Sequence, residues 1–539
     1  LCGAGRCPNC LVSVDGVPNV RACTQRVREG MKVRHQNAWP SLKHDFLSVL
    51  DRLHWLMPVG FYYKAFHRPK ALWPLAQRVI RRVGGLGTID INAVPETDYH
   101  HRYHHADVAV VGGGPAGLSA ALAAADRGAR VTLIDDQPRL GGHLRFNAQD
   151  SGQVNDLCRS VEESPNIQVM TDATAFAYYQ DHLLSVLHGN EVVKLRAKQV
   201  VLATGAYEVP LLFENNDLPG VMLTTAAQRL IRLYGVRPGD TAVIATNNDA
   251  GYQAAQDLLE SGVGVAVVVD ARPEIPPHLE AAGALRSHGI TLLASHAITR
   301  AEGKGKVRAV TVARLEGRGP AKPDRQARRF RCDLVCMSGG FQPANALLYQ
   351  AGGSLGYDDA LGEAVPQALP PGLFAAGEVT GIHHPAASLL QGRLAGMAAA
   401  ANLGLTLIPE AEAADLLRRL AEAEAESREG GGAGAPLPAT ALGRNKFVCV
   451  CEDVTAKDIA DAVDEGFDDI QMLKRYSTAA MGPCQGRMCL KALVGLCAQR
   501  TGRGVGETGV TTARPPLHPV PLAALAGPSH MPMKRTPMD

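Results

Sequence analysis

No run of this sequence reaches the ~18 consecutive apolar residues of a membrane helix. The nearest stretch, 46–63, is broken by Asp51, Arg52, His54 and Pro58. Charge of one sign is also lacking. The chain has 55 basic and 53 acidic residues, with no basic patch and no acidic tail. That balance gives no footprint for nucleic acid or for a basic partner. No secretory signal is visible, although the chain starts at Leu1 rather than Met, so little follows from that. What remains is an ordinary globular composition with 46% apolar residues. At 539 residues the chain exceeds the ~250–300 at which single cores stop growing, so several domains are expected.

Cysteine is what the chain has in an informative arrangement. Eight of the twelve stand in two quartets: Cys2, Cys7, Cys10 and Cys23, and Cys449, Cys451, Cys484 and Cys489. Such spacings in a large chain suit metal ligation in a reducing compartment, the cytoplasm, better than structural disulfides. Cys2-x4-Cys7-x2-Cys10 has the plant-type ferredoxin spacing. Cys23 returns as a fourth ligand after a short hairpin, with a strand at 11–14 and Asp15-Gly16 as the turn. The strands that normally precede such a first cysteine are missing. In the second quartet, Thr455-x-x-Asp458 reads as a capping box and Gly466 as a helix stop. Gly482-Pro483-Cys484 is expected to open another helix. Two helix N-termini would then aim N–H groups at one anionic [2Fe–2S] cluster. Four thiolates also make a zinc site, which is the rival at both quartets.

Between the quartets lies a dinucleotide signature. An apolar strand at 108–111 leads into Gly112-Gly113-Gly114-Pro115-Ala116-Gly117, an Ala-rich helix through Ala125 and a second strand at 130–135. Gly112 permits a tight turn, Gly114 lets the backbone approach a pyrophosphate, and Gly117 lets helix and strand pack closely. Asp135 ends the second strand, where a carboxylate bonds ribose hydroxyls. Gly141-Gly142, Thr204-Gly205 after the strand at 199–203, and Gly377-Glu378 complete the expected dinucleotide set. A second βαβ unit, with strands at 242–245 and 265–270, keeps only Gly251 in Thr246-Asn247-Asn248-Asp249-Ala250-Gly251. It either binds a nucleotide in altered geometry or is a structural relic. The fold class that follows is α/β, a two-dinucleotide-binding core flanked by small [2Fe–2S] modules.

Here the sequence resembles the pyridine nucleotide–disulfide reductase fold over about 105–405. The redox disulfide of those reductases is missing, since no C-x-x-C or C-x4-C follows the first site. Cys332 and Cys336, like Cys158 and Cys497, read as core or helix-face residues. The whole order resembles the alpha subunit of heterotetrameric sarcosine oxidase, with its relatives opine oxidase, proline dehydrogenase and hydrogen cyanide synthase. The likeness is most specific at Asn37-Ala38-Trp39-Pro40-Ser41, Val59-Gly60-Phe61-Tyr62-Tyr63-Lys64, Thr246-Asn247-Asn248-Asp249 and Val454-Thr455-Ala456-Lys457-Asp458-Ile459. At the second quartet, 481–487 is similar to bacterioferritin-associated-ferredoxin [2Fe–2S] domains.

That resemblance implies a redox subunit of a flavin-dependent amine or amino-acid oxidase or dehydrogenase. It implies FAD, or NAD in the same site, with NAD(P) a further option, and electrons relayed through [2Fe–2S] clusters. The amine would be oxidised on a flavoprotein beta-like partner subunit, with smaller subunits as further partners. The cysteines move the expectation from plain sarcosine oxidase toward its iron–sulfur relatives.

The implied domains are a partial ferredoxin domain at 1–35 and a connector at 36–104. The FAD/NAD(P) domain follows at 105–405, with a second nucleotide subdomain inserted at about 220–335. A helix and linker occupy 406–444, a [2Fe–2S] domain 445–502, and 503–539 leads toward a further domain. The chain is thus expected to be a piece open at both ends. Two other functions compete: a stand-alone NAD(P)H-dependent flavin/iron–sulfur reductase, and a non-catalytic nucleotide-binding scaffold. No catalytic base is identified. His100, His101, His104 and His105 read as a polar loop rather than a metal site, and His383 and His384 as an ordinary loop rather than residues that approach the flavin.

Overall fold

The structure is a computed structural model. It describes residues 4, 5, 7, 9–36, 38–46, 58–64, 70–83, 87, 98–146, 151–277, 279–315, 327–429 and 446–527. Cys2, Asn37, the glycines of 430–434 and the stretch 528–539 lie outside the described residues, as do the expectations placed on them.

The apolar run at 108–111 ends a longer strand, His100–Val111, in a seven-stranded sheet. Ile167–Met170, Val131–Ile134, His100–Val111 and Glu191–Leu202 run parallel in that order, and Leu373–Ala375 pairs parallel with the last. Leu183–His188 and Ala173–Tyr179 extend the sheet antiparallel. Val108, Val110, Leu133 and Val201 are fully buried, which is why these runs are continuously apolar rather than alternating.

The four histidines lie on this strand and not on a loop. Residues 100–106 pair with 191–197, and this backbone ladder carries the strand through a polar stretch. His101 Nε2 lies 2.8 Å from the Ala524 carbonyl, and His104 Nε2 2.9 Å from Thr132 Oγ1.

The helix Pro115–Ala125 packs on Pro385–Asn402. Small residues set the distance: a Cβ at Gly392 or Gly396 would stand 2.1 Å from Ala116 O or 2.2 Å from Ala120 O. A second parallel sheet holds, in order, Val221–Leu223, Leu334–Ser338, Thr241–Thr246, Gly264–Asp270 and Thr291–Leu293. Cys336 is fully buried on it and Cys332 nearly so, as core residues. Two antiparallel strands, Ala206–Glu208 and Phe341–Pro343, carry the chain to the second sheet and back. Glu208 is buried there and accepts hydrogen bonds from the Thr224 and Thr225 hydroxyls and the Thr225 N–H, at the start of the helix Thr224–Tyr234.

At the N-terminal end, Leu11–Val14 and Val17–Arg21 form the expected hairpin, with Asp15 and Gly16 both at positive φ in its turn. The C-terminal module holds the helices Ala456–Asp464, Ile470–Ser477 and Leu490–Thr501. The Thr455–Asp458 capping box is formed. The helix expected from Gly482 begins only at Leu490. Gln485 (φ 53°) and Gly486 (φ 84°) take left-handed conformations, which a right-handed helix cannot include. Among the described residues, no helix is long and apolar enough to cross a membrane.

Candidate functional site

One cavity of about 750 Å³ runs from the first glycine-rich turn to the loop between Cys484 and Cys489. Of the twelve residues expected to hold a dinucleotide, all but Gly117 and Gly141 line it. Gly117 acts behind the wall: a Cβ there would stand 1.8 Å from Gly112 O. Gly112 itself has φ 111°, and a Cβ would meet Ala203 O at 2.0 Å.

The helix Pro115–Ala125 begins at Gly114 with no side-chain cap and no acidic residue in its first turn. Its first N–H groups and the positive end of its dipole therefore face the cavity, as an anionic pyrophosphate requires. Asp135 accepts from Gly113 N and, at 2.7 Å, from Gln137 N, which fixes its carboxylate at the rim.

On the opposite wall, Glu378 meets His143 (Nδ1 to Oε1 3.2 Å) and accepts from Ala206 N at 3.1 Å. Burial alone would raise this carboxyl. The charge and hydrogen bond of His143, the charge of His383 and the Ala206 N–H outweigh burial and hold it down at about 2. His383 Nε2 lies 2.9 Å from Glu363. Burial works to lower the His383 pKa, but the hydrogen bond and charge of Glu363 prevail and raise it. The Nδ1 atoms of His383 and His384 are buried without a protein partner, and both residues line the cavity. Orphaned ring nitrogens in a cavity wall are what a bound group with its own donors and acceptors would satisfy.

The second βαβ turn is filled by its own side chains. Thr246, Asn247 and Asn248 are buried. Asn248 Oδ1 accepts the Ala250 N–H at 3.0 Å, which takes up the first N–H of the next helix. Asp249 adds a carboxylate there, paired to Arg272 Nη1 at 2.6 Å. Asp270, fully buried at the end of its strand, is bonded by Tyr252 Oη at 2.7 Å and by Arg272. These bonds occupy the Asn248 amide and the Asp270 carboxylate, while Asn248, Asp249, Ala250 and Gln253 line the far end of the cavity.

The second quartet is drawn together. Cys449, Cys484 and Cys489 are about 1% exposed. The four thiols hydrogen-bond in a ring, Cys449 to Cys451 and Cys489, and Cys484 to the same two. These bonds and backbone N–H donors hold Cys449 and Cys484 far below the ordinary thiol range, while Cys451 and Cys489, as the donors, are raised. Ala480 N–H is directed at Cys449, and Gly486 and Met488 N–H at Cys484. Sulfurs with N–H donors around them match the needs of an anionic iron–sulfur cluster. Among the described residues no three His, Cys, Asp or Glu are grouped for one metal ion; a two-iron cluster divides its four thiolates between two centres.

At the other end, Cys7, Cys10 and Cys23 are partly exposed, and Cys2 lies outside the described residues. Arg21 Nη2, two residues before Cys23, donates to Pro483 O, one residue before Cys484, at 3.2 Å. The two cysteine regions are therefore neighbours.

Sequence reasoning missed Tyr207, Arg229, Gln391 and Arg487, while His383 stands in the loop expected of it and lines the cavity. Gln391 Oε1 accepts from Gly377 N at 2.6 Å. Arg229 comes from the second subdomain to bond Gln137 Oε1 at 2.9 Å. Nothing local marks these residues, because each works across a long sequence separation.

Comparison with known proteins adds three family matches. Residues 106–404 match the pyridine nucleotide-disulphide oxidoreductase family, 443–528 the sarcosine oxidase A3 domain, and 1–38 a 2Fe-2S iron-sulfur cluster binding domain. The sarcosine oxidase subunit alpha of Rhizobium meliloti (strain 1021) is 34% identical over 96% of this chain and 53% of its own length. Hydrogen cyanide synthase subunit HcnB of Pseudomonas protegens is 30% identical over 77% of this chain and 96% of its own length. The chain spans about half the length of the sarcosine oxidase relatives it matches. Among solved structures, an L-proline dehydrogenase from P. horikoshii superposes with a TM-score of 0.67 at 22% identity, over 96% of this chain and 87% of that one. That likeness shows the fold.

Proposed function

Because this chain belongs to the pyridine nucleotide-disulphide oxidoreductase family, on the branch of sarcosine oxidase subunit alpha and HcnB, we propose that it is the electron-relaying subunit of an oxidoreductase acting on CH–NH donors. The substrate class is an N-substituted amino acid or related amine. Oxidation of its CH–NH bond to C=N releases two electrons and two protons. The oxidising centre lies on a partner subunit of a hetero-oligomer, and this chain takes electrons away from it.

One observation carries this reading: the uncapped helix of the first dinucleotide turn and the Cys484–Cys489 loop form walls of the same cavity. Gly112, Gly114, Pro115 and Ala116 would hold the pyrophosphate of FAD or NAD, with Gly117 letting the helix pack closely behind them, Asp135 its ribose, and Gly377 and Glu378 the distal part. Cys449, Cys451, Cys484 and Cys489 would hold a [2Fe–2S] cluster, with Cys2, Cys7, Cys10 and Cys23 a second one. A bound flavin and its clusters supply one-electron steps. The chain's own residues orient them, exclude water and fix the local charge.

The stand-alone NAD(P)H reductase is disfavoured by the filled turn at 246–249 and by the Asp270–Arg272 pair. The test is anaerobic spectroscopy on the assembled enzyme. An N-methyl amino acid is expected to bleach the visible spectrum, while NADPH or NADH leaves it unchanged. Rapid bleaching by a reduced nicotinamide alone would overturn the proposal.

A further inference from the structure

Arg487 belongs to two sites at once. It lies on the loop between Cys484 and Cys489, two residues from one thiol of the ring and three from another. Its side chain nevertheless turns into the wall of the cavity. Only 6% of it is exposed. The guanidinium carbon sits 5.2 Å from the centre of the Tyr207 ring, which also lines the cavity. Nη2 donates to Leu517 O at 3.2 Å, and the terminal nitrogens meet the His518 ring.

Among the described residues no carboxylate forms an ion pair with Arg487. A buried cation left this way calls for anions nearby. Two are on offer: the cluster that its own loop would hold through Cys484 and Cys489, and an anionic dinucleotide in the cavity it lines.

We propose that Arg487 is the positioning residue through which the dinucleotide cavity and the C-terminal quartet sense each other, one buried positive charge being shared between them. The inference rests on the reading that the quartet holds a [2Fe–2S] cluster and the cavity a dinucleotide. Adding an electron to the cluster raises its negative charge by one unit. The shared cation then serves the cluster more and the dinucleotide less. Linkage makes the effect reciprocal: filling the cavity makes the cluster harder to reduce by the same factor. Tyr207 holds the guanidinium at the cavity face, since a stacked planar cation keeps its orientation where an ammonium would not.

The experiment is a redox titration of the full-chain protein followed by the electron paramagnetic resonance of the cluster, which reads it separately from any flavin. The midpoint is measured with the cavity stripped and after FAD or NAD+ is added back. A lower midpoint is expected with the cavity filled, equivalent to a three- to tenfold ratio in dinucleotide affinity between the two redox states. In Arg487→Gln that ratio falls to one, and Arg487→Lys recovers part of it. Equal midpoints in the wild type, or a ratio that survives in Arg487→Gln, overturns the proposal. Should Arg487→Gln lose its iron, Tyr207→Leu keeps the question open to test, because it removes the stacked ring and leaves the cysteine loop intact. The ratio is expected to shrink there, and an unchanged ratio counts against Arg487. A wild-type protein without cluster signal or without affinity for either dinucleotide would instead defeat the functional reading on which the inference rests.

Discussion

Asn216 and Phe447 exchange two hydrogen bonds across 231 residues of sequence: the side-chain amide donates to Phe447 O at 2.9 Å, and Phe447 N donates to Asn216 Oδ1 at 3.0 Å. The side chain thereby acts as one rung of a sheet, and it pins the strand Phe447–Cys449 to the dinucleotide core. Lys491 strengthens the dock by donating to Gln342 Oε1 and Phe341 O at 3.1 and 3.0 Å. Asn216→Ala should loosen the module at a cost of about 1–3 kcal/mol, the penalty for orphaned buried groups. Hydrogen exchange should quicken at 447–455 with dinucleotide content unchanged.

Gly117→Ala tests the first turn. The added methyl carbon would stand 1.8 Å from Gly112 O, a backbone atom that cannot yield without moving the turn. Overpacking of this kind costs about 1–3 kcal/mol. Dinucleotide released by acid should fall below a tenth of the wild-type amount while iron content stays the same.

The pH dependence of dinucleotide binding follows from His383. Its pKa is raised above the ordinary 6.5, since Glu363 outweighs burial and the nearby Lys491. The positive charge is therefore complete below 6.5 and is lost as pH rises through the raised value. Affinity for an anionic dinucleotide should be full below 6.5 and weaken as pH rises through that raised value. In His383→Asn that decline should vanish from a plot of Kd against pH.

Asp270→Asn addresses the second βαβ unit. The change weakens a buried ion pair and leaves Arg272 with Asp249 alone. Breaking such a pair costs about 3–5 kcal/mol, visible as a lower urea midpoint. Calorimetric titration with NADPH should detect no binding at this turn in either protein.

Parts of this architecture were legible where chemistry and chain proximity coincide. The segment from Gly112 to Asp135 carries strand, turn, helix and acid in one stretch, and all of these stand where they were expected. Asp15-Gly16 and Thr455–Asp458 are equally local. The polar strand at His100–His105 was not legible, because its partner at 191–197 supplies the backbone bonds. The late start of the helix at Leu490 depends on left-handed Gln485, a residue type that rarely announces that conformation. Tyr207, Arg229 and Arg487 reach the cavity only through the path of the folded chain. The filled second turn was visible as a loss of glycines. Its closure by Arg272 was not, because arginine two residues after Asp270 is ordinary until its direction is known.

We propose that the C-terminal quartet and the first dinucleotide turn serve one electron path. Iron, acid-labile sulfide and released dinucleotide, counted per chain in the wild type and in Cys484→Ser, test it most directly. Cys484→Ser is expected to lose about two iron and two sulfide while the dinucleotide stays bound. A wild-type protein that carries zinc in place of iron and sulfide, or no dinucleotide, would contradict it.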